Sequence, residues 1–191
     1  MIPTMHRDSS RPSVPADYAV RLAVTAIERD RVYRFRYESF ATEYGRWPNP
    51  GLGARRMIHH EVDDQASVFF VEVEGRVVAT LRLRFGHLPE DLQVPFDAKR
   101  FAGSTPSSVA LADEILVSRI YRKASLLESM LAAASARCEE SGALLLFCHA
   151  RPDAVPAFKA AGFQEVGVAF EHQDLGSRVP LVRFLTPGGS G

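Results

Sequence analysis

An α/β domain with a mixed central sheet is predicted by three features of this 191-residue chain. Apolar runs and helical stripes alternate in the order β-α-β-β-β-α-β-α-β-β, which calls for helices packed on a sheet. Two β-rich runs, Val68 to Glu74 and Arg76 to Phe85, hinge at Gly75 and read as a hairpin. Ala143 to Cys148 is continuously apolar, the mark of a strand covered on both faces.

Taken in order, residues 18 to 25 read as a short first strand. A helix from Ile27 to Tyr44 follows, because Tyr33, Tyr37, Phe40 and Tyr44 recur at helical spacing and form an aromatic face. Gly45 and then Trp47-Pro48-Asn49-Pro50-Gly51 stop it and open an irregular stretch to His60. After the hairpin, Gly86 to Ser107 is rich in turn formers, with one short helix from Pro89 to Phe101. Val109 to Val117 is the next strand. Ser125 to Ser141 is a helix with Leu127, Met130, Leu131, Ala134 and Cys138 on one stripe, stopped by Gly142. Pro152 to Ala161 begins with proline and ends at Gly162, a short helix. Phe163 to Phe170 and Val179 to Leu185 close the chain as a strand pair. Residues 1–16 read as a disordered leader rich in Ser, Pro and Arg, 17–186 as one domain and 187–191 as a flexible tail.

Composition narrows the function. Formal net charge is +0, so no global field points to nucleic acid or to a membrane surface. No apolar run approaches the length of a membrane span. Cys138 and Cys148 are too few for a disulfide framework and form no CxxC pair, so a reduced, cytoplasmic setting is expected. The six histidines show no metal spacing; His149 and His172 stand isolated, and no metal is expected. There is no G-x-S-x-G elbow, and Cys148 in its apolar run reads as packing rather than as a nucleophile.

Charged residues inside apolar segments carry the chemistry. Arg36, Phe40 and Glu43 share one helix face. Arg82 lies in a strand between Leu81 and Leu83 and requires a carboxylate, from Asp63 or Asp64 or from a substrate. Asp113 and Glu114 are adjacent on the Val109 to Val117 strand; either is a candidate base for an amine, directly or through water. Strand alternation puts them on opposite faces, so at most one meets a cleft. The turn Tyr121-Arg-Lys-Ala-Ser-Leu126 opens a helix, with no glycine between Ser118 and Ser141. It therefore lacks the glycines of a tight pyrophosphate nest, while Arg119, Arg122, Lys123 and Ser125 suit a single phosphate or an acidic protein surface. The alternative for this turn is an ordinary solvated basic loop capped by Ser125.

Tyr33-Arg-Phe-Arg-Tyr-Glu-Ser-Phe40 with Glu43-Tyr-Gly45 forms one signature. Glu61-Val-Asp-Asp-Gln-Ala66 followed by Gly75-Arg-Val-Val-Ala-Thr-Leu-Arg82 forms a second. The third runs from Ile115-Leu-Val-Ser-Arg-Ile-Tyr-Arg122 through Leu144 to Cys148, Ala161-Gly-Phe163 and Phe170-Glu-His-Gln-Asp-Leu-Gly176 to Val179-Pro-Leu181. In order and spacing, over residues 30 to 185, these stretches resemble the N-acyl amino acid synthases, relatives of the acyl-homoserine-lactone synthases with the Gcn5-related N-acetyltransferase (GNAT) fold. The resemblance implies a splayed sheet whose split, between the strand ending near Val117 and the strand Ala143 to Cys148, admits an acyl-thioester arm. It implies transfer of an acyl group to an amine, with acyl-phosphopantetheine of acyl carrier protein, or acyl-CoA, as co-substrate and no tightly bound cofactor. It maps a functional cluster onto Arg36, Phe40, Trp47, Asp63 or Asp64, and Arg82. Where the lactone synthases carry E-x-x-R, this chain has Glu114 but Val117 three residues on, which weighs against lactone synthesis.

The expected activity is transfer of a medium or long acyl chain to the α-amine of an amino acid. Leu111, Ile115, Leu144, Leu145, Phe147 and Phe158 are expected to line an acyl tunnel or the core. Backbone N–H groups of Val117 to Arg119 are expected to meet the oxyanion. The helix from Ile27 and the segment holding Trp47 are expected to form a lid over the acceptor, with Arg36 taking its carboxylate. A conventional acetyl-CoA acetyltransferase, a homoserine-lactone-type signal synthase and a degenerate binding module are the alternatives.

Overall fold

A computed structural model describes residues 18–43, 56–101, 103–122, 125–173 and 175–186; the expected leader, the expected tail, Trp47 and Lys123 lie outside them, as does the side chain of Glu43. The elements are β1 (Val20–Leu22), α1 (Ala26–Glu43), β2 (Ser67–Val73), β3 (Arg76–Phe85), α2 (Glu90–Gln93), β4 (Val109–Val117), α3 (Leu126–Glu140), β5 (Leu145–Ala150), α4 (Val155–Ala160), β6 (Gln164–Glu165), β7 (Phe170–His172) and β8 (Gly176–Phe184). The spatial order is β1-β2-β3-β4-β5-β8-β6, with β7 paired to the start of β8. Every pairing is antiparallel except β4 with β5. A parallel pair needs a crossover, and α3 supplies it.

Local chemistry sets the helix ends. Thr25 and Glu28 form a capping box: the Glu28 carboxylate accepts the Thr25 N–H at 3.1 Å, and Thr25 Oγ1 accepts the Glu28 N–H at 3.2 Å. At the end of α3 the chain turns through Gly142 at φ 75°, where the N–H groups of Gly142 and Ala143 reach back to Glu139 and Cys138.

Alternation along the strands divides the core. Leu146 and Cys148 pack with Leu81, Leu83, Met130, Leu131 and Ala134 on the α3 face; Leu145 and Phe147 pack with Leu92, Phe96 and Val109 on the other. The strand read as buried on both faces is so buried. It starts two residues later than expected, and Leu144 before it is 40% exposed.

Three elements differ from the sequence reading. The helix expected over Pro89 to Phe101 is only α2 plus a 3-10 turn at Ala98–Phe101, because Pro95 offers no N–H and Asp97 turns to φ 51°. The strand expected over Phe163 to Phe170 is broken into β6 and β7 at Gly167, which sits at φ 62° against Pro95; a Cβ there would lie 1.9 Å from the Pro95 carbonyl oxygen. In β4 the register to β3 jumps from Thr80↔Leu116 to Arg82↔Asp113, so Leu81 faces both Glu114 and Ile115, and Glu114 takes φ 48°. This is a β-bulge. Beyond it β4 leaves β5: their ladder covers only Val109↔Leu145 to Ala112↔Cys148, and the two strands then diverge. The divergence is the expected splay.

Candidate active site

The splay holds a cleft of about 370 Å³. β4 lines it with Asp113 to Val117, β5 with His149 and Ala150, α1 with Phe40, α3 with Leu127, α4 with Ala157 and Phe158, and β8 with Arg178. The volume lies in the range of small-molecule sites.

One end of the cleft is ionic. Arg82 grips Asp113 through Nε at 2.6 Å and a terminal nitrogen at 2.9 Å, and Arg84 adds a 2.7 Å bond to the same carboxylate. Arg36 donates to both oxygens of Asp63 at 2.9 Å, and the His60 N–H reaches Asp63 at 2.8 Å. Arg82 also approaches Asp63 at 3.4 Å and Glu114 at 3.9 Å, while His60 Nε2 lies 3.5 Å from Glu114. Three guanidiniums thus balance three carboxylates in a largely buried cluster, the condition under which buried charge is tolerated.

Burial raises the Asp63 carboxyl, but the Arg36 charge, the His60 N–H and Arg82 outweigh it and hold it below its usual range. Glu114 behaves alike: burial pushes it up, and the His60 hydrogen bond with the Arg36 and Arg82 charges brings it down to about 2. Its carboxylate is therefore ionised at neutral pH and weakly basic. One oxygen, Oε2, is buried with no hydrogen-bond partner among the described residues.

The structure redistributes the expected roles. Asp113 and Glu114 are not on opposite faces: the bulge adds a residue to β4, and both line the cleft. Both Asp113 oxygens accept from Arg82 or Arg84, which ties this carboxylate into the ion cluster. Arg82 is buried with Asp63 as expected, but its closest partner is Asp113. Asp64 is 70% exposed at the side chain and meets His59 instead of Arg82. Arg36 is wholly buried and holds Asp63. Phe40 does reach the cleft.

Donor-side expectations divide similarly. Val117 and Arg122 line the cleft; Arg119 is exposed outside that lining. Ser125 stands at the N-cap of α3, but its hydroxyl pairs with Tyr18 at 2.8 Å and caps no backbone group. The Ser118 N–H donates to Val78 O at 2.8 Å, which removes it from the oxyanion donors. Of the expected tunnel residues only Ile115 and Phe158 line the cleft; Leu111, Leu145 and Phe147 belong to the core of the opposite face.

Sequence reasoning missed His149 and Arg178. Both line the cleft from stretches beyond the β4–β5 ladder, His149 near the end of β5 and Arg178 near the start of β8, and nothing in their local sequence marks that. Cys148 stays a protonated thiol, since burial pushes its pKa well up.

No family model and no curated protein matches the chain. Solved structures do. FeeM, an N-acyl amino acid synthase from uncultured soil microbes, superposes with a TM-score of 0.68 at 14% identity, covering 88% of this chain and 91% of that one. BjaI, a CoA-dependent acyl-homoserine lactone synthase solved with SAM and isopentyl-CoA, gives 0.66 at 17%, covering 88% and 84%. A putative N-acetyltransferase from Lactobacillus plantarum gives 0.65 at 15%, covering 88% and 99%.

Proposed function

We propose that this chain, which has the GNAT fold of those neighbours, is an N-acyltransferase that moves a fatty acyl group from the thioester of acyl carrier protein or coenzyme A to the amine of an amino acid or related small molecule. The observation that carries the reading is the cleft where β4 and β5 part, which joins an apolar wall to the Glu114 carboxylate. Ile115, Leu127 and Phe158 suit an acyl chain. Arg122 suits the phosphate that every such thioester arm carries.

Glu114 holds the acceptor's ammonium by charge, through the oxygen that lacks a partner. Arg82 is its positioning residue and Asp113 orients Arg82. With a neutral amine beside the thioester, nitrogen attacks the carbonyl carbon, the N–C bond forms and the C–S bond breaks. Holding the two reactants together supplies much of the acceleration.

The test is product detection. The full chain is incubated with decanoyl-CoA or decanoyl carrier protein and a mixture of the twenty amino acids, and the organic extract is analysed by mass spectrometry. N-decanoyl amino acids are expected. Acetylated products from acetyl-CoA, with no long-chain product, would replace this reading with that of an acetyltransferase; no product from any donor would leave a binding module.

A further inference from the structure

His149 occupies the next-to-last position of β5, one residue past the point where β5 leaves β4, and its ring lines the cleft alongside Asp113 and Glu114. Its Nδ1 is buried with no hydrogen-bond partner among the described residues. The ring is fixed from two sides: Phe170 meets it edge-on at 5.9 Å and 84°, and His172 lies tilted against it at 5.5 Å and 36°. His172 is half-buried. A rigid imidazole with a bare nitrogen beside an anionic ammonium site is placed to exchange a proton there.

We propose that His149 takes the proton from the acceptor's ammonium and that His172 carries it from His149 to solvent. The proposal rests on the N-acyltransferase reading and deepens it. The first proton leaves the ammonium for the His149 ring; the freed amine attacks the thioester carbon; the second N–H proton leaves with the departing sulfur, so thiol and amide are the products.

Charged and titratable groups of three elements face the ring. Burial and the charges of His172 on β7 and Arg178 on β8 keep His149 neutral, while Asp113 and Glu114 on β4 favour its protonated form; the balance is a pKa of about 4. His149 is therefore unprotonated at neutral pH and more basic than Glu114 at about 2. Asp113 already accepts three hydrogen bonds, from Arg82 and Arg84. Burial thus leaves His149 with a free lone pair at neutral pH, the state in which an imidazole accepts a proton.

The test compares acceptors of different basicity. Phenylalanine arrives as an ammonium and needs a base; O-benzylhydroxylamine is already neutral and does not. With decanoyl-CoA as donor, His149→Gln should lower kcat for phenylalanine by about 10² or more, with the KM for donor unchanged, and lower kcat for O-benzylhydroxylamine by less than tenfold. Added imidazole should restore part of the phenylalanine rate in His149→Ala. Equal losses with both acceptors, or a His149→Gln protein within twofold of wild type, overturn the proposal. Wild type that acylates neither of these acceptors nor any other amino acid, from either decanoyl donor, overturns the acyltransferase reading itself. A measurement on wild type needs no substitution: the His149 ring nitrogens, followed by ¹⁵N NMR with a decanoyl-CoA thioether bound, should shift when phenylalanine is added. Unshifted nitrogens with phenylalanine bound also overturn it.

Discussion

Arg82 of β3 and Asp113 of β4 form a two-point pair at 2.6 and 2.9 Å directly beside the bulge that carries Glu114. The pair ties the two strands together at the place where their ladder is interrupted, and it anchors the ionic end of the cleft. Removing one member of such a buried pair leaves the other charge uncompensated.

Arg82→Ala should accordingly cost about 3–5 kcal/mol in urea unfolding. Arg82→Lys should recover only part of this, since an ammonium cannot reproduce the two-point geometry. An Arg82→Ala protein with the wild-type midpoint and full activity would contradict the cluster's role.

Glu114 makes stability depend on acid. Its folded pKa of about 2 lies below the unfolded value near 4.5, so the unfolded chain binds the proton more readily. The stabilisation is complete above about pH 4.5 and is lost as pH falls toward 2, on the order of 3 kcal/mol for a depression of this size. Glu114→Gln should flatten that part of the pH–stability curve. The same variant should raise KM for the amine at least tenfold while leaving the donor KM unchanged. A variant whose acid unfolding and amine KM match wild type would remove Glu114 from both roles.

Gly167 should tolerate no side chain. It combines φ 62° with a Cβ position 1.9 Å from the Pro95 carbonyl oxygen. Gly167→Ala should destabilise the fold by at least about 2 kcal/mol, more than a helix-surface Gly→Ala change could. Gly103→Ala, with open space at its Cβ, is the control and should melt like wild type.

Donor choice is testable at the turn before α3. Charge reversal at Arg119 together with Lys123 should weaken use of decanoyl carrier protein far more than use of decanoyl-CoA, because an acidic protein surface spreads over the whole basic turn while coenzyme A does not. Equal losses for both donors would overturn the preference for carrier protein. Trp47→Ala, by contrast, should alter amine kinetics and leave acyl-length preference unchanged.

The amino-acid sequence by itself determined the element order, the hairpin at Gly75, the stripe of α3 and the double burial of β5, because each follows from a local period or a turn former. It also determined that Arg82 needs a carboxylate, since a charge within an apolar strand cannot stay unpaired. Which carboxylate was decided by the tertiary structure. Register across β3 and β4 brought Asp113 to Arg82 and left Asp64 in solvent, and register is set by packing over the whole sheet. The bulge at Glu114 reversed the expectation from alternation for the same reason: one extra residue in a strand is invisible in a chain read alone, yet it turns two neighbouring carboxylates toward one cleft. His149 and Arg178 became site residues only where the strands diverge, because the cleft exists nowhere in the sequence; it is the space left when β4 bends away from β5.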